Sequence, residues 1–244
     1  MALELIFPKN KVKIEALEGD ITSLDADVIV NSANTAMVLG GKNSVASRIN
    51  EITEGRLEEE LADSNLFPKP IPFGEVCVTG GDLLPCKYVF HLSTHGTLEE
   101  MVEAAENLDS EEELPQKLQM VLLESIREGI QNLLDESEEH ELESISFPLI
   151  GSGTLNLPKP LAIEVLVGSL TGCLLQKPPS FLKKVQIVTP EDSVHQFLSN
   201  YLDQLEPLQA ELPSEKSFPE MEMMMEVKQS GRDQSAAVFI PSPP

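Results

Sequence analysis

Three polar segments of this 244-residue chain carry residue types suited to holding an anion. Asn31-Ser32-Ala33-Asn34 runs on to Gly40-Gly41, and Gly151-Ser152-Gly153-Thr154 follows the apolar run Ile145 to Ile150. The third, Gly19-Asp20-Ile21-Thr22, lies between two strand-like runs. Glycine lets the backbone approach a ligand, and the N–H groups of a turn or helix start then converge on negative charge. Two such loops suit a diphosphate better than a single carboxylate. A single Gly-x-Gly is ordinary turn chemistry. The charge map adds weight: Val28 to Asn50 holds no acid and carries Lys42 and Arg48, and Gly151 to Leu161 is acid-free with Lys159.

Other reactive side chains point to structure rather than catalysis. His91 and His95 have no third ligand at a defined spacing, so no metal is expected. His91 reads as a satisfied core residue and His195 as surface or packing on a helix. Cys77 alternates with Val76 and Val78, which implies burial rather than nucleophilic chemistry. Three cysteines without a CxxC pair fit a reducing compartment and speak against zinc.

The elements that must position these residues alternate strand and helix. Val12 to Leu17, Val28 to Val30, Glu75 to Thr79, Tyr88 to Leu92, Ile145 to Ile150 and Val185 to Val188 read as strands. Ser44 to Leu61 reads as one helix. Pro115 opens another, with Leu118, Leu122, Ile126, Ile130 and Leu134 recurring every four residues. Pro160 begins the next. Asp192 or Ser193 caps a last one, with Val194, Phe197, Leu198, Tyr201 and Leu202 on one face. The acidic connection from Thr97 to Lys117 reads as a solvated face or loop. Strands separated by helices imply an α/β fold with a mixed sheet covered on both sides, and ligands in such folds settle at the carboxyl ends of strands.

Charge and composition close off several function classes. Seventeen Lys and Arg against 41 Asp and Glu give −24, so the chain lacks the cation excess needed to hold a nucleic-acid polymer. The longest apolar candidate, Leu161 to Leu175, is broken by Glu164 and two glycines, so no membrane span is expected. The start, Met1 to Phe7, carries Glu4 without a basic flank and does not read as a secretory signal. A cytoplasmic location is expected. From Pro207 onward the chain holds six of its 18 prolines and four of its eight methionines, an acidic Pro/Met-rich tail expected to be unstructured.

With these residues in place, the sequence resembles the macrodomain family, the ADP-ribose-binding fold. The resemblance runs from about Val12 to Leu205 and rests on motifs in order. Gly-Asp-Ile-Thr at 19–22 leads into Asp27-Val-Ile-Val-Asn-Ser-Ala-Asn34. Phe73-Gly74-Glu75 with Thr79-Gly80, then Leu84 to His91, is similar to the family's central hairpin. Ser146-Phe147-Pro148-Leu149-Ile150-Gly151-Ser152-Gly153 through Pro158 is similar to its second phosphate loop. The resemblance implies a three-layer α/β/α domain over residues 1–206, followed by the tail at 207–244.

Carried over, the resemblance makes Asp20 the acceptor for an adenine amine, with the Ile21 backbone beside it. A carboxylate serves that role well, although Asp20 could equally satisfy its own turn. Asn34 would face the distal ribose, or else bond its own backbone at a strand end. Gly40, Gly41, Lys42, Asn43 and Ser44 would form the first phosphate loop, and Gly151, Ser152, Gly153 and Thr154 the second. Leu155 stands where an aromatic often stacks on ribose, and Pro190 where one commonly covers adenine. Hydrolytic members typically have a longer glycine run followed by Val-Asp-Gly. Here Asn43 or Ser44 takes the place of that acid, and neither is a carboxylate base. Lys42 replaces a glycine and would either block or grip phosphate.

The function expected is binding of ADP-ribose, free or attached to protein, by a monomer that needs no cofactor or metal. One alternative is a mono-ADP-ribosyl-protein hydrolase that orients its substrate with Asn34 and uses a phosphate-activated water. Another is a degenerate macrodomain that binds no nucleotide and serves as a protein scaffold.

Overall fold

The computed structural model describes residues 4–6, 12–110, 112–153 and 155–209, with backbone alone for 4–6 and 206–209. Its seven strands form one sheet: β1 (Glu4–Ile6), β2 (Lys13–Glu18), β3 (Ala26–Asn34), β4 (Val76–Gly80), β5 (Cys86–His95), β6 (Ser144–Pro148) and β7 (Lys184–Thr189). The order across the sheet is β1-β2-β7-β6-β3-β5-β4. The five inner strands are parallel, and β1 and β4 pair antiparallel at the two edges. Every inner strand therefore ends at the same edge of the sheet.

Alternation along β3 feeds two cores. Val28 and Val30 join Phe90, Leu92 and Phe147 beneath three helices, α4 (Leu114–Glu139), α5 (Lys159–Gln176) and α6 (Asp192–Gln209). Ile29 and Ala33 join Val89 and Cys77 beneath α1 (Val45–Ile52) and α2 (Arg56–Ala62) on the opposite face. The remaining helix, α3 (Leu98–Glu106), packs on α4. The result is the α/β/α arrangement with a mixed sheet that the sequence implies. A polar ladder also crosses the sheet: Gln186 donates to Glu15 at 2.8 Å and accepts from Ser146 at 3.0 Å.

Several elements differ from expectation for local reasons. The strand from Val28 runs on to Asn34, because polar residues there find partners across the sheet: Ser32 meets Thr94 at 2.8 Å. The single helix expected over Ser44 to Leu61 is two, broken where Glu54 and Gly55 both take positive φ. Part of the acidic connection is α3, started by a capping box between Thr97 and Glu100. Phe197, expected on the inner face of the last helix, is exposed. That helix continues through Pro207 to Gln209, and the tail from 210 lies outside the described residues. No described helix is long and apolar enough to cross a membrane.

Candidate functional site

A cavity of about 650 Å³ opens over the shared carboxyl edge of the inner strands. Residues 19–21 follow β2, 148–153 end and follow β6, and 189–191 end and follow β7, so three strand ends supply its walls. Asn31 and Ser32 of β3 and His95 of β5 contribute from the sheet, and Asn43 to Arg48 close it from the start of α1. The position agrees with the rule that open α/β sheets bind ligands beyond strand carboxyl ends.

The start of α1 is organised by its own side chains. Ser44 caps the helix, with its Oγ accepting from the Ser47 amide at 3.0 Å and donating to the Gly40 carbonyl at 2.7 Å. Ser47 Oγ in turn accepts from the Ser44 amide at 3.2 Å. The Ser44 hydroxyl is therefore committed to the helix end. The cap, which itself uses the Ser44 and Ser47 amides, sets the positive end of the α1 dipole at the cavity wall, an arrangement that favours an anion.

Gly151, with φ of +85°, turns the opposite wall, and a Cβ there would come within 2.5 Å of Leu157 Cδ1. Ser152 Oγ donates within the same turn, to Leu149 O at 2.7 Å. Gly153 is open, with nothing within 4 Å of a Cβ position. Leu155 joins the wall and packs on the larger core. Thr154 lies outside the described residues.

Asp20 caps the short 3-10 turn Ile21–Ser23, its Oδ1 accepting from the Thr22 amide at 2.9 Å and hydroxyl at 2.7 Å. Its other oxygen lies 3.7 Å from Arg48 Nε. Ile21 and Pro190 both reach the cavity, the former buried and the latter exposed. Arg48 also pairs with Glu51 at 2.8 Å, and Lys159 pairs with Glu191 across the gap between α5 and α6. The wall thus carries two cations, Arg48 and Lys159, against three carboxylates, Asp20, Glu51 and Glu191.

The cavity brings together Asp20, Ile21, Asn43, Ser44, Gly151, Ser152, Gly153, Leu155 and Pro190 from the sequence-derived site. It does not bring Asn34, Gly40, Gly41 or Lys42 into its lining. Asn34 instead folds back on its loop, accepting from Val38 N at 3.2 Å and donating to Val38 O at 3.4 Å. Gly41, with φ of +98°, shapes the approach to Ser44, and Lys42 is exposed.

Arg48 and His95 are wall residues that sequence reading did not assign to the site, and Asn31, which opens one of the anion-suited segments, was given no role there. Arg48 was signalled only by its place in an acid-free stretch. His95 accepts or donates at 3.1 Å with Thr94 Oγ1, and burial lowers its pKa, leaving a neutral imidazole at physiological pH. Among the described residues, Glu18, Asp192 and His195 form the one trio of metal-ligating types, with ligand atoms within 4.8 Å of one another. All three lie outside the cavity lining, and His195 Nε2 meets Ala16 O at 3.3 Å.

The Macro domain family model matches residues 30–166. An uncharacterised protein of Sulfurisphaera tokodaii is 30% identical over 154 residues, covering 63% of this chain and 72% of that one. A Macro domain-containing protein of Methanosarcina mazei is 28% identical, covering 66% of this chain and 73% of that one. Among solved structures, a variant of the Oceanobacillus iheyensis macrodomain with ADP-ribose aligns with a TM-score of 0.66 at 22% identity, covering 84% of this chain and 98% of that one. The Trypanosoma brucei macrodomain in complex with ADP-ribose aligns with a TM-score of 0.61 at 21% identity, covering 82% and 74%. With the family model spanning more than half its length, this chain belongs to the macrodomain family.

Proposed function

We propose that the chain binds ADP-ribose, free or attached to protein, in the cavity over the strand ends. One observation carries this reading: the capped start of α1 faces the Gly151 to Gly153 turn across a single cavity that also reaches Asp20. The two walls offer a diphosphate a helix dipole and a glycine turn of the kind that ligand-binding loops use. Asp20 Oδ2 offers an acceptor to an adenine amine. The volume, about 650 Å³, lies within the usual range for small-molecule sites of roughly 300–1,000 Å³. Macrodomains of the same fold have been solved with ADP-ribose.

Binding is preferred over hydrolysis because Ser44, at or beside the place of the usual acid, is spent on the helix cap. Asn34, the orienting residue of the hydrolase alternative, is engaged by Val38. Calorimetric titration with ADP-ribose tests the proposal. Heat that saturates with one ligand per chain supports it; no heat at millimolar ligand overturns it in favour of a scaffold. Incubation with a mono-ADP-ribosylated protein then separates reader from eraser. Release of the label, lost on Asn34→Ala, would replace the binding reading with hydrolysis.

A further inference from the structure

One ion pair ties two walls of the cavity together. Lys159, the first residue of α5, and Glu191, the residue before α6, both line the cavity and pair with each other across 32 positions of sequence. The Gly151 turn lies close to the cation. The Leu157 amide donates to Gly151 O at 3.0 Å, and Lys159 follows two residues on, with its Cα no more than about 8 Å from that of Leu157.

The charges of the wall do not suit a diphosphate as they stand. Arg48 and Lys159 are outnumbered by Asp20, Glu51 and Glu191, and each cation already faces a carboxylate. An anion entering the cavity gains a cation only where a carboxylate gives one up. Arg48 is the harder of the two to release, because Glu51 of its own helix pairs with it and Asp20 approaches it from the 3-10 turn. Among the described residues Lys159 has Glu191 alone. The two side chains are 43% and 52% exposed, so water competes for both charges and the pair is a weak one. A lysine ammonium also rides on a flexible aliphatic stem and can change partner without moving the helix that carries it. Glu191 starts α6 through its backbone, its carbonyl accepting from the Val194 and His195 amides at 3.0 and 2.9 Å. Its carboxylate is therefore not needed for the helix start.

We propose that the Lys159–Glu191 pair is an autoinhibitory contact of the nucleotide site: Glu191 competes with the ligand's diphosphate for the Lys159 ammonium, and binding transfers that ammonium from carboxylate to phosphate. The proposal rests on the ADP-ribose reading of the cavity and adds a built-in competitor to it. Glu191 holds the affinity below what Lys159 alone would give. It also ties the wall of the Gly151 turn to that of Pro190 until a ligand releases the pair.

Calorimetry with ADP-ribose on the wild type, Glu191→Gln, Lys159→Gln and the double variant tests the exchange. Folding is checked by circular dichroism, and the ionic strength is about 0.15 M, where repulsion beyond about 8 Å is screened. Glu191→Gln is expected to bind about three- to fivefold more tightly, and Lys159→Gln more weakly by a similar factor, the scale of one exposed ion pair. Adding Glu191→Gln to Lys159→Gln should gain less than about twofold, because no ammonium is left to release. An equal gain with and without Lys159 overturns the proposal, since Glu191 would then act by repelling the diphosphate alone. A Glu191→Gln affinity at or below that of the wild type overturns it as well. No heat from either the wild type or Glu191→Gln at millimolar ADP-ribose removes the reading of the cavity, and the exchange with it.

Discussion

The Arg48 guanidinium lies 3.7 Å from the Asp20 carboxylate, and both line the cavity. The pair joins the start of the 3-10 turn to α1, so the proposed adenine acceptor and the cation nearest it share one electrostatic environment. Removing the cation leaves one, Lys159, against three wall carboxylates. Arg48→Gln is expected to weaken ADP-ribose binding about five- to tenfold by calorimetry, with little change in thermal stability because its ion pairs are exposed. An unchanged affinity would remove Arg48 from the site.

Salt should strengthen ADP-ribose binding. A chain of net charge −24 repels a diphosphate over distances beyond the cavity, and its local cations are already paired. Raising ionic strength from about 0.01 to 0.15 M shortens screening from about 30 to about 8 Å. Titrations across that range are expected to show a falling Kd. A rising Kd would mean that Arg48 and Lys159 outweigh the global field.

Two glycines two positions apart should respond differently to one methyl group. Gly151→Ala demands a positive φ and meets Leu157, so a loss of stability on the order of 1–2 kcal/mol and weaker ADP-ribose binding are expected. Gly153→Ala meets nothing within 4 Å and should leave stability near wild type. Thermal melts of the two variants check the contrast, which vanishes if the Gly151 turn is not rigid.

Ser44 gives a test of the helix cap. Ser44→Ala removes both the acceptor for Ser47 N and the donor to Gly40 O and should cost about 1 kcal/mol, whereas Ser44→Asp, which caps but cannot donate to Gly40 O, should recover only part of that. Equal denaturant midpoints for Ser44→Ala and wild type would show that the cap contributes nothing.

Acid should weaken the junction between β3 and β6. Asp27 accepts from the Glu143 and Ser144 amides at 2.8 and 3.0 Å and pairs with Lys87 at 2.7 Å. Burial alone would raise its carboxyl pKa, but these bonds and the Lys87 charge hold it below the ordinary value. A depressed folded-state pKa means stability present above the unfolded value near 3.9 and lost as pH falls through the folded one. Asp27→Asn should therefore be less stable than wild type at pH 7 by on the order of 1–3 kcal/mol. The gap should narrow below about pH 4; a gap independent of pH would rule out the carboxylate's charge as its source.

Much of the fold was legible because strand runs and the periodic stripe of α4 depend on local pattern, and Leu122, Ile126 and Ile130 are buried as their spacing requires. Polar residues misled where their partners are remote. Asn31 and Ser32 look like loop chemistry until His91 and Thr94 stand beside them in the next strand. The break at Glu54 and Gly55 was hidden within apolar periodicity that continues on both sides. Residues of both glycine-containing motifs line the cavity, but the direction a side chain faces depends on loop geometry. Asn34 and Lys42 share a stretch with Ser44, yet only Ser44 reaches the cavity.

The cavity walls come from segments as far apart in sequence as Gly19 and Glu191, each hung on a different strand. No single hairpin or helix pair carries a usable part of it. Its assembly waits on the non-local parallel pairings of β2 with β7 and β3 with β6, the slow class of contacts in folding. A nucleotide seated there would act as a late, reversible crosslink between the two ends of the domain, slowing unfolding more than it speeds folding.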